Sequence, residues 1–171
     1  MTATGGLVIR DGTPADNDAC LAIYNEAVRN LLATFDTVER GPEHFDGRLG
    51  LADPRSPFLV AEIAGAVAGY AHAYPYRPRA AYDATREVSV YLADSARGQG
   101  IGRMLYAALL ARLDAAGCHT QVAVIALPNE ASEALHRAFG FEHVGTLREV
   151  GHKFGRWVDT AWHQRMSPPA S

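Results

Sequence analysis

The chain has 171 residues, 48% hydrophobic and 20% charged, the balance of a water-soluble globular domain. Its formal net charge is −3, so it has no overall cationic field of the kind that gathers nucleic acid. No apolar run reaches the ~18 residues of a membrane span, and "MTATGGLVIRDGT" lacks the basic-then-apolar order of a secretory leader, so a single cytoplasmic domain over residues 1–171, with its core at 7–166, is expected.

In chain order, "LVIR" (7–10) reads as a short strand. Thr13 is a fitting N-cap and Pro14 a fitting first helical residue. From Asp18, Leu21, Ile23, Tyr24, Ala27, Val28, Leu31 and Leu32 recur at helical spacing. Pro42 opens a second, shorter helix to about Leu51. "FLVAEI" and "AVAGYAHAY" read as strands joined by a tight turn at Ala64-Gly65. "RPRAAYDAT" is a loop. "REVSVYL" (86–92), rich in β-branched and aromatic residues, is the clearest strand.

A glycine loop, "RGQGIG" (97–102), follows. It leads into a helix with Ile101, Leu105, Ala108, Leu109, Arg112 and Leu113 on one face and Gly117 as its stop. "HTQVAVIAL" reads as a strand buried on both faces, and "PNEASEALHRAFGF" as a helix from Pro128-Asn129 to Gly140. "EHVGTLREVG" and "WVDTAWHQRM" are the last strands, and "SPPAS" is a frayed tail. The order β-α-α-β-β-β-α-β-α-β-β predicts an α/β (α+β) mixed sheet with helices on both faces. Cys20 and Cys118 have no paired spacing and read as reduced, buried thiols. The histidines show no metal-ligand spacing, so no metal is expected.

The glycine loop narrows the ligand. A P-loop or a full dinucleotide fingerprint would need a glycine at 103, where Arg103 stands. What remains is R-x-x-G-x-G: Arg97, Gly98, Gln99, Gly100, Ile101, Gly102. Glycines bare the backbone N–H groups, and a helix N-terminus adds partial positive charge, so such a loop can hold a pyrophosphate, with Arg97 or Arg103 adding a charge-assisted bond.

The run "VSVYL", "RGQGIG", amphipathic helix, "VAVIA", "PNEASEALHRAFGF" resembles the GNAT (Gcn5-related) N-acetyltransferases. "TFDT" and "IALPNEASEALHRAFGFEHVGTLREVGHKFGRWVD" resemble their phosphinothricin / methionine sulfoximine subfamily. The resemblance runs from about Val8 to Met166. It implies acetyl-CoA as cofactor, with the glycine loop on its pyrophosphate and the backbone of Val90, Tyr91 and Leu92 on the pantetheine arm. It also implies Asn129 bonding that arm and Ser132 nearby.

Acetyl transfer from a thioester to an amine requires removal of an ammonium proton, donors for an oxygen that becomes negative, and a fate for the departing sulfur. Glu87, opening the strand "EVSVYL", matches the subfamily's base. One N–H of residues 90–92 is the natural oxyanion donor. His136, seven residues after Asn129 on the same helix, stands where many members carry a tyrosine acid and can donate near neutral pH.

The acceptor end is less defined. Arg77, Arg79 and Tyr82 suit carboxylate or phosphinate oxygens, and the subfamily resemblance implies Phe35 and Thr37 of "TFDT" as the opposite wall. "KFGRWVD" (153–159) reads as structural or interfacial, Trp157 and Trp162 helping to bury the homodimer contact that the resemblance implies. The expected enzyme acetylates the α-amine of a small acidic amino-acid analogue such as phosphinothricin or methionine sulfoximine or sulfone, by direct transfer in a ternary complex. Nucleic acid and membrane are not expected as partners. The alternatives are another small amine (polyamine, aminoglycoside), a protein N-terminus, or a non-catalytic acyl-CoA sensor.

Overall fold

A computed structural model describes residues 6–168. Seven strands, β1 (Val8–Asp11), β2 (Phe58–Ile63), β3 (Ala66–Pro75), β4 (Thr85–Leu92), β5 (Thr120–Ala126), β6 (Glu142–Lys153) and β7 (Arg156–Met166), form one sheet in the order β1-β2-β3-β4-β5-β7-β6. Every pair is antiparallel except β4–β5. The helices are α1 (Asn17–Asn30), α2 (Ile101–Ala115) and α3 (Glu130–Ala138).

Each side of the sheet carries its own core. One is built on α1: Cys20, Ile23, Tyr24, Val28, Phe45, Leu49, Phe58, Val60 and Tyr70. The other is built on α2, where Ile101, Leu105, Tyr106, Leu109, Leu110 and Leu113 pack against Leu59, Ala61, Ala71, Ala73 and Val88. Strand alternation divides the sheet residues between them. Both cysteines are buried thiols, and burial pushes the Cys20 thiol up to about 12.

Local chemistry fixes the ends. Arg10 clamps Asp16 through two bonds of 2.8 and 2.7 Å, and Asp16 also accepts from the Thr13 N–H at 2.8 Å. This braces the Pro14–Asp16 3-10 turn that leads into α1. The turn between β2 and β3 has both central residues in the left-handed region, Ala64 at φ +49° and Gly65 at +82°, the geometry that matches strand twist.

Three expectations are corrected. The second helix is only a 3-10 turn, Pro42–Phe45, because Gly47 and Gly50 take positive φ and a helix cannot run through them. Arg112 is on the exposed side of α2, paired with Asp11; Tyr106 and Leu110 fill the buried face instead. β5 alternates buried and half-buried positions rather than being buried on both faces. Of the expected frayed tail, residues 169–171 lie outside the described residues.

Candidate active site

β4 has a partner on both sides only at its start. It pairs with β3 from Arg86 opposite Pro75 to Leu92 opposite Gly69. With β5 it pairs only at Thr85, Arg86 and Glu87, opposite Thr120, Gln121 and Val122. Beyond Glu87 the two strands part, and among the described residues the β5-facing edge of 88–92 has no strand partner. Such an edge offers N–H and C=O groups to an extended chain laid along it. Val90, Tyr91 and Leu92 lie on this stretch.

Glu87 sits at the apex of the divide, half-buried. Its cross-strand neighbour is Tyr74, whose hydroxyl donates to Glu87 Oε1 at 2.7 Å. Burial and the adjacent carboxylate hold the Tyr74 phenol well above its ordinary range, so it remains a donor. Arg86 does not pair with Glu87. It is buried on the other side, donating to the carbonyls of Arg55, Asp83 and Thr85 at 2.7, 2.8 and 2.9 Å.

The Glu87 face continues as an aromatic row. Tyr70, His72 and Tyr74 on β3 stand opposite Tyr91, Ser89 and Glu87 on β4. His72 stacks on Tyr74 at 5.4 Å and Tyr70 on Tyr91 at 5.3 Å between ring centres. Over this row lies a cavity of about 450 Å³, with His72, Tyr74, Ser89 and Tyr91 as floor and α1 and the 3-10 turn as walls. Tyr24 donates to Asp36 Oδ2 at 2.6 Å, and Arg40 grips both Asp36 oxygens at 2.6 Å. Those guanidinium bonds hold the Asp36 carboxyl down at about 2. Burial, helped by Asp36, pushes the Tyr24 phenol up to about 12.

The glycine loop delivers a helix N-terminus beside the end of β4. Gly98 and Gly100 have φ of +74° and +79°. Gly102 serves differently: a Cβ there would lie 3.3 Å from Leu92 Cδ1, so glycine lets α2 begin close against β4. Ile101 is buried and anchors the first turn. The helical bonds begin with the Met104 N–H to the Gly100 carbonyl, which leaves the N–H groups of 101–103 outside the ladder. These donors fit a pyrophosphate. Gln99 fixes the loop through a 2.6 Å bond to the Ser95 carbonyl. Arg103 is exposed, over the Phe139 ring at 5.3 Å.

Arg97 departs from expectation. Its guanidinium donates to Asp94 at 2.9 Å, to Glu26 of α1 at 2.8 Å and to the Leu92 carbonyl at 3.5 Å. With both Nη atoms held by the chain itself, Arg97 braces the loop against α1 rather than serving as a free phosphate ligand.

At the start of α3, Asn129 Oδ1 accepts the Ser132 N–H at 3.1 Å, the bond of a helix cap. Among the described residues its amide nitrogen has no partner and is free for a pantetheine carbonyl. His136 is buried, with the Tyr106 and Phe141 rings edge-on at 5.0 and 5.1 Å. Its Nδ1 lies 2.7 Å from the Ser132 carbonyl. A carbonyl only accepts, so the imidazole proton sits on Nδ1. Burial pulls His136 down to about 4. A neutral ring with its proton committed to Nδ1 has none on Nε2 to give a thiolate, which speaks against the expected general-acid role.

The expected acceptor residues stand apart from the cavity. Arg77 lies over Tyr76 at 4.9 Å, and Tyr76 meets the edge of Tyr82 at 5.5 Å. Arg79 and Tyr82 are exposed on the same loop. Phe35 covers Gly151, where any side chain would collide with its ring, and Thr37 is exposed. None of the five lines the cavity beside Tyr74, whereas Asp36, between Phe35 and Thr37, does.

The sequence reading missed Tyr74, the Tyr24–Asp36–Arg40 group and Lys153. The period-two run "YAHAY" was a usable signal that Tyr70, His72 and Tyr74 share one face. Lys153 opens the "KFGRWVD" stretch read above as structural or interfacial, but its partners are not legible there: its buried ammonium donates to the carbonyls of Leu31 and Thr34, both at 2.7 Å, and of Ala27 at 3.4 Å. It ties β6 to the segment that carries Asp36.

The family profile for the acetyltransferase (GNAT) domain matches residues 9–162. The chain is 42% identical to the phosphinothricin N-acetyltransferase of Streptomyces coelicolor, across 96% of this chain and 99% of that one. It is 43% identical to the L-methionine sulfoximine/L-methionine sulfone acetyltransferase of Pseudomonas paraeruginosa, across 91% of this chain and 92% of that one. The fold matches the crystal structure of a GNAT superfamily phosphinothricin acetyltransferase from Sinorhizobium meliloti in complex with AcCoA. There the TM-score is 0.89 at 39% identity, with 94% of this chain and 88% of that chain covered.

Proposed function

The chain belongs to the GNAT acetyltransferase family, and from that premise we propose that it acetylates the α-amine of a small acidic amino-acid analogue. Phosphinothricin and methionine sulfoximine or sulfone are the acceptors its relatives' names point to. The observation that carries this reading is the position of Glu87 at the apex where β4 and β5 part, with an open backbone edge on one side and a polar cavity on the other. A donor arm along the edge and an acceptor in the cavity would meet at this carboxylate.

Acetyl-CoA supplies the activated acetyl group as a thioester. The N–H groups of residues 101–103 and the glycine loop hold its pyrophosphate. The edge of 90–92 and the Asn129 amide hold its pantetheine arm. An N–H of that edge donates to the carbonyl oxygen as it gains charge. Glu87 takes a proton from the acceptor's ammonium so that the nitrogen lone pair can attack. The Tyr74 bond occupies Oε1 and leaves Oε2 for that proton. The new C–N bond would form as the C–S bond breaks, the nitrogen giving up its second proton and the departing sulfur gaining one, both exchanged with solvent. Ser132 and His136 shape the wall by this arm. Arg77, Arg79 and Tyr82, outside the cavity on the loop between β3 and β4, would receive the acceptor's α-carboxylate.

We also read the protein as a single cytoplasmic domain that pairs with a second copy. Its two thiols are free and buried, as suits a reducing compartment. Leu147, Val150, Phe154 and Trp157 are exposed along β6–β7, an apolar face suited to self-association. Trp162 is half-buried and contributes less.

The deciding experiment incubates the protein with acetyl-CoA and methionine sulfoximine, following free thiol and acetylated product. A 1:1 rise of the two supports the reading. No turnover with any amino-acid amine sinks it.

A further inference from the structure

The cavity beside Tyr74 contains two polar groups that nothing in the fold uses. Arg48, on its rim, has no hydrogen bond or ion pair for its guanidinium among the described residues; it lies 5.8 Å from the centre of the Phe45 ring. His72, in its floor, is 6% exposed, and among the described residues neither ring nitrogen has a partner. Its Nδ1 is shut off from water as well. Buried polar atoms are nearly always satisfied, so an unpaired histidine under an unpaired arginine marks a place for a ligand's polar atoms.

Charge bookkeeping sets the sign. Arg40 and Asp36 are bonded to each other and cancel. Burial and the nearby Arg48 drive His72 down to about 3, and burial lowers His44 too, so both rings are neutral. Arg48 remains as one net positive charge. Ser89 adds a hydroxyl in the floor. The Tyr74 hydroxyl joins this space to Glu87, since the same residue lines the cavity and donates to the carboxylate.

We infer that this cavity is the subsite for the far end of the acceptor's side chain, with Arg48 and a His72 N–H donating to its terminal oxygens while the amine lies at Glu87. This rests on the acetyltransferase reading above. It divides the acceptor's two oxygen-bearing ends: the α-carboxylate goes to the arginines of the 77–79 loop, and the distal phosphinate, sulfone or sulfoximine goes to the cavity. Specificity for an oxygen-bearing side chain would then come from β3 and from the turn after α1.

The test compares kcat/KM for phosphinothricin, methionine sulfone and norleucine, which has no distal oxygen. A ratio between two acceptors is insensitive to any inactive fraction, so a partly misfolded variant still reports. Arg48→Gln is expected to lower the phosphinothricin-to-norleucine ratio by about tenfold or more, the scale of one charge-assisted hydrogen bond. His72→Phe keeps the stacking and is expected to lower both oxygen-bearing ratios by several-fold. An unchanged ratio in Arg48→Gln overturns the subsite, and an unchanged ratio in His72→Phe alone removes His72 from it. If the unsubstituted protein turns over none of the three, the proposed acceptor class falls and takes this inference with it. Turnover with unaltered ratios leaves the enzyme standing and removes only the pocket.

Discussion

The Tyr74 hydroxyl donates to Glu87 Oε1 at 2.7 Å, at the last position where β4 is paired on both sides. The bond fixes one carboxylate oxygen and so decides which oxygen faces the divide. Tyr74→Phe keeps the ring in its stack and removes only the donor. We expect kcat to fall by about tenfold, the worth of one hydrogen bond to a charged group, with acetyl-CoA affinity retained. Steady-state kinetics alongside a cofactor titration will show this, and an unaltered kcat would deny Tyr74 a positioning role.

Glu87→Gln preserves shape and the bond from Tyr74 but cannot take a proton. The proposed base role predicts a loss of about 10²–10⁴-fold in kcat. Cofactor binding, measured by calorimetry, should persist, because the pyrophosphate donors lie on α2. Full activity in the variant would move the base elsewhere.

His136 is neutral and holds its proton toward the Ser132 carbonyl. A pH–rate profile taken from about pH 6 to 9 should therefore have the same shape in the wild type and in His136→Gln, though absolute rates and the KM for acetyl-CoA change. Disappearance of an alkaline limb in the variant would restore the proton-donor role.

Asp16 has its folded-state pKa pulled down to about 2 by the Arg10 guanidinium, against an unfolded value of 3.8. A depressed carboxylate stabilises above the unfolded pKa and ceases to do so as pH falls through the folded one. Stability should therefore decline between about pH 4 and pH 2. Asp16→Asn should cost about 2 kcal/mol at neutral pH and flatten that decline. Urea unfolding across the range measures both, and a variant as pH-sensitive as the parent would contradict the assignment.

Much of this arrangement was legible in the residues themselves. The Ala64-Gly65 turn, the Asn129 cap and the Gly117 stop follow from backbone chemistry acting over a few residues. Some of the failures are local and others are not. Pro42 is a sound helix opener, but Gly47 and Gly50 end the helix before it forms a second turn. Arg97 reads as a phosphate ligand until Glu26, 71 positions earlier, is found beside it. Arg112 falls at a core-facing spacing, yet Asp11 draws it outward. His136 reads as an acid until the aromatic edges and the carbonyl around it are known. In the two arginine cases the sequence shows the functional group while its partner is supplied by another part of the chain.

Lys153, bound by three carbonyls, is the only lysine in the chain; the other fifteen cationic side chains are arginines. An ammonium presents its three N–H groups as a tripod, which a flat guanidinium does not match. The same burial pulls the group below its usual pKa, yet every donor is held and no face of the nitrogen is open to an acyl donor. The one side-chain amine of a protein that handles an acetyl thioester is thus shielded from it, and the arginines that cover its surface do not acylate under such conditions. Among its side chains, the protein thus offers its own reagent no open amine.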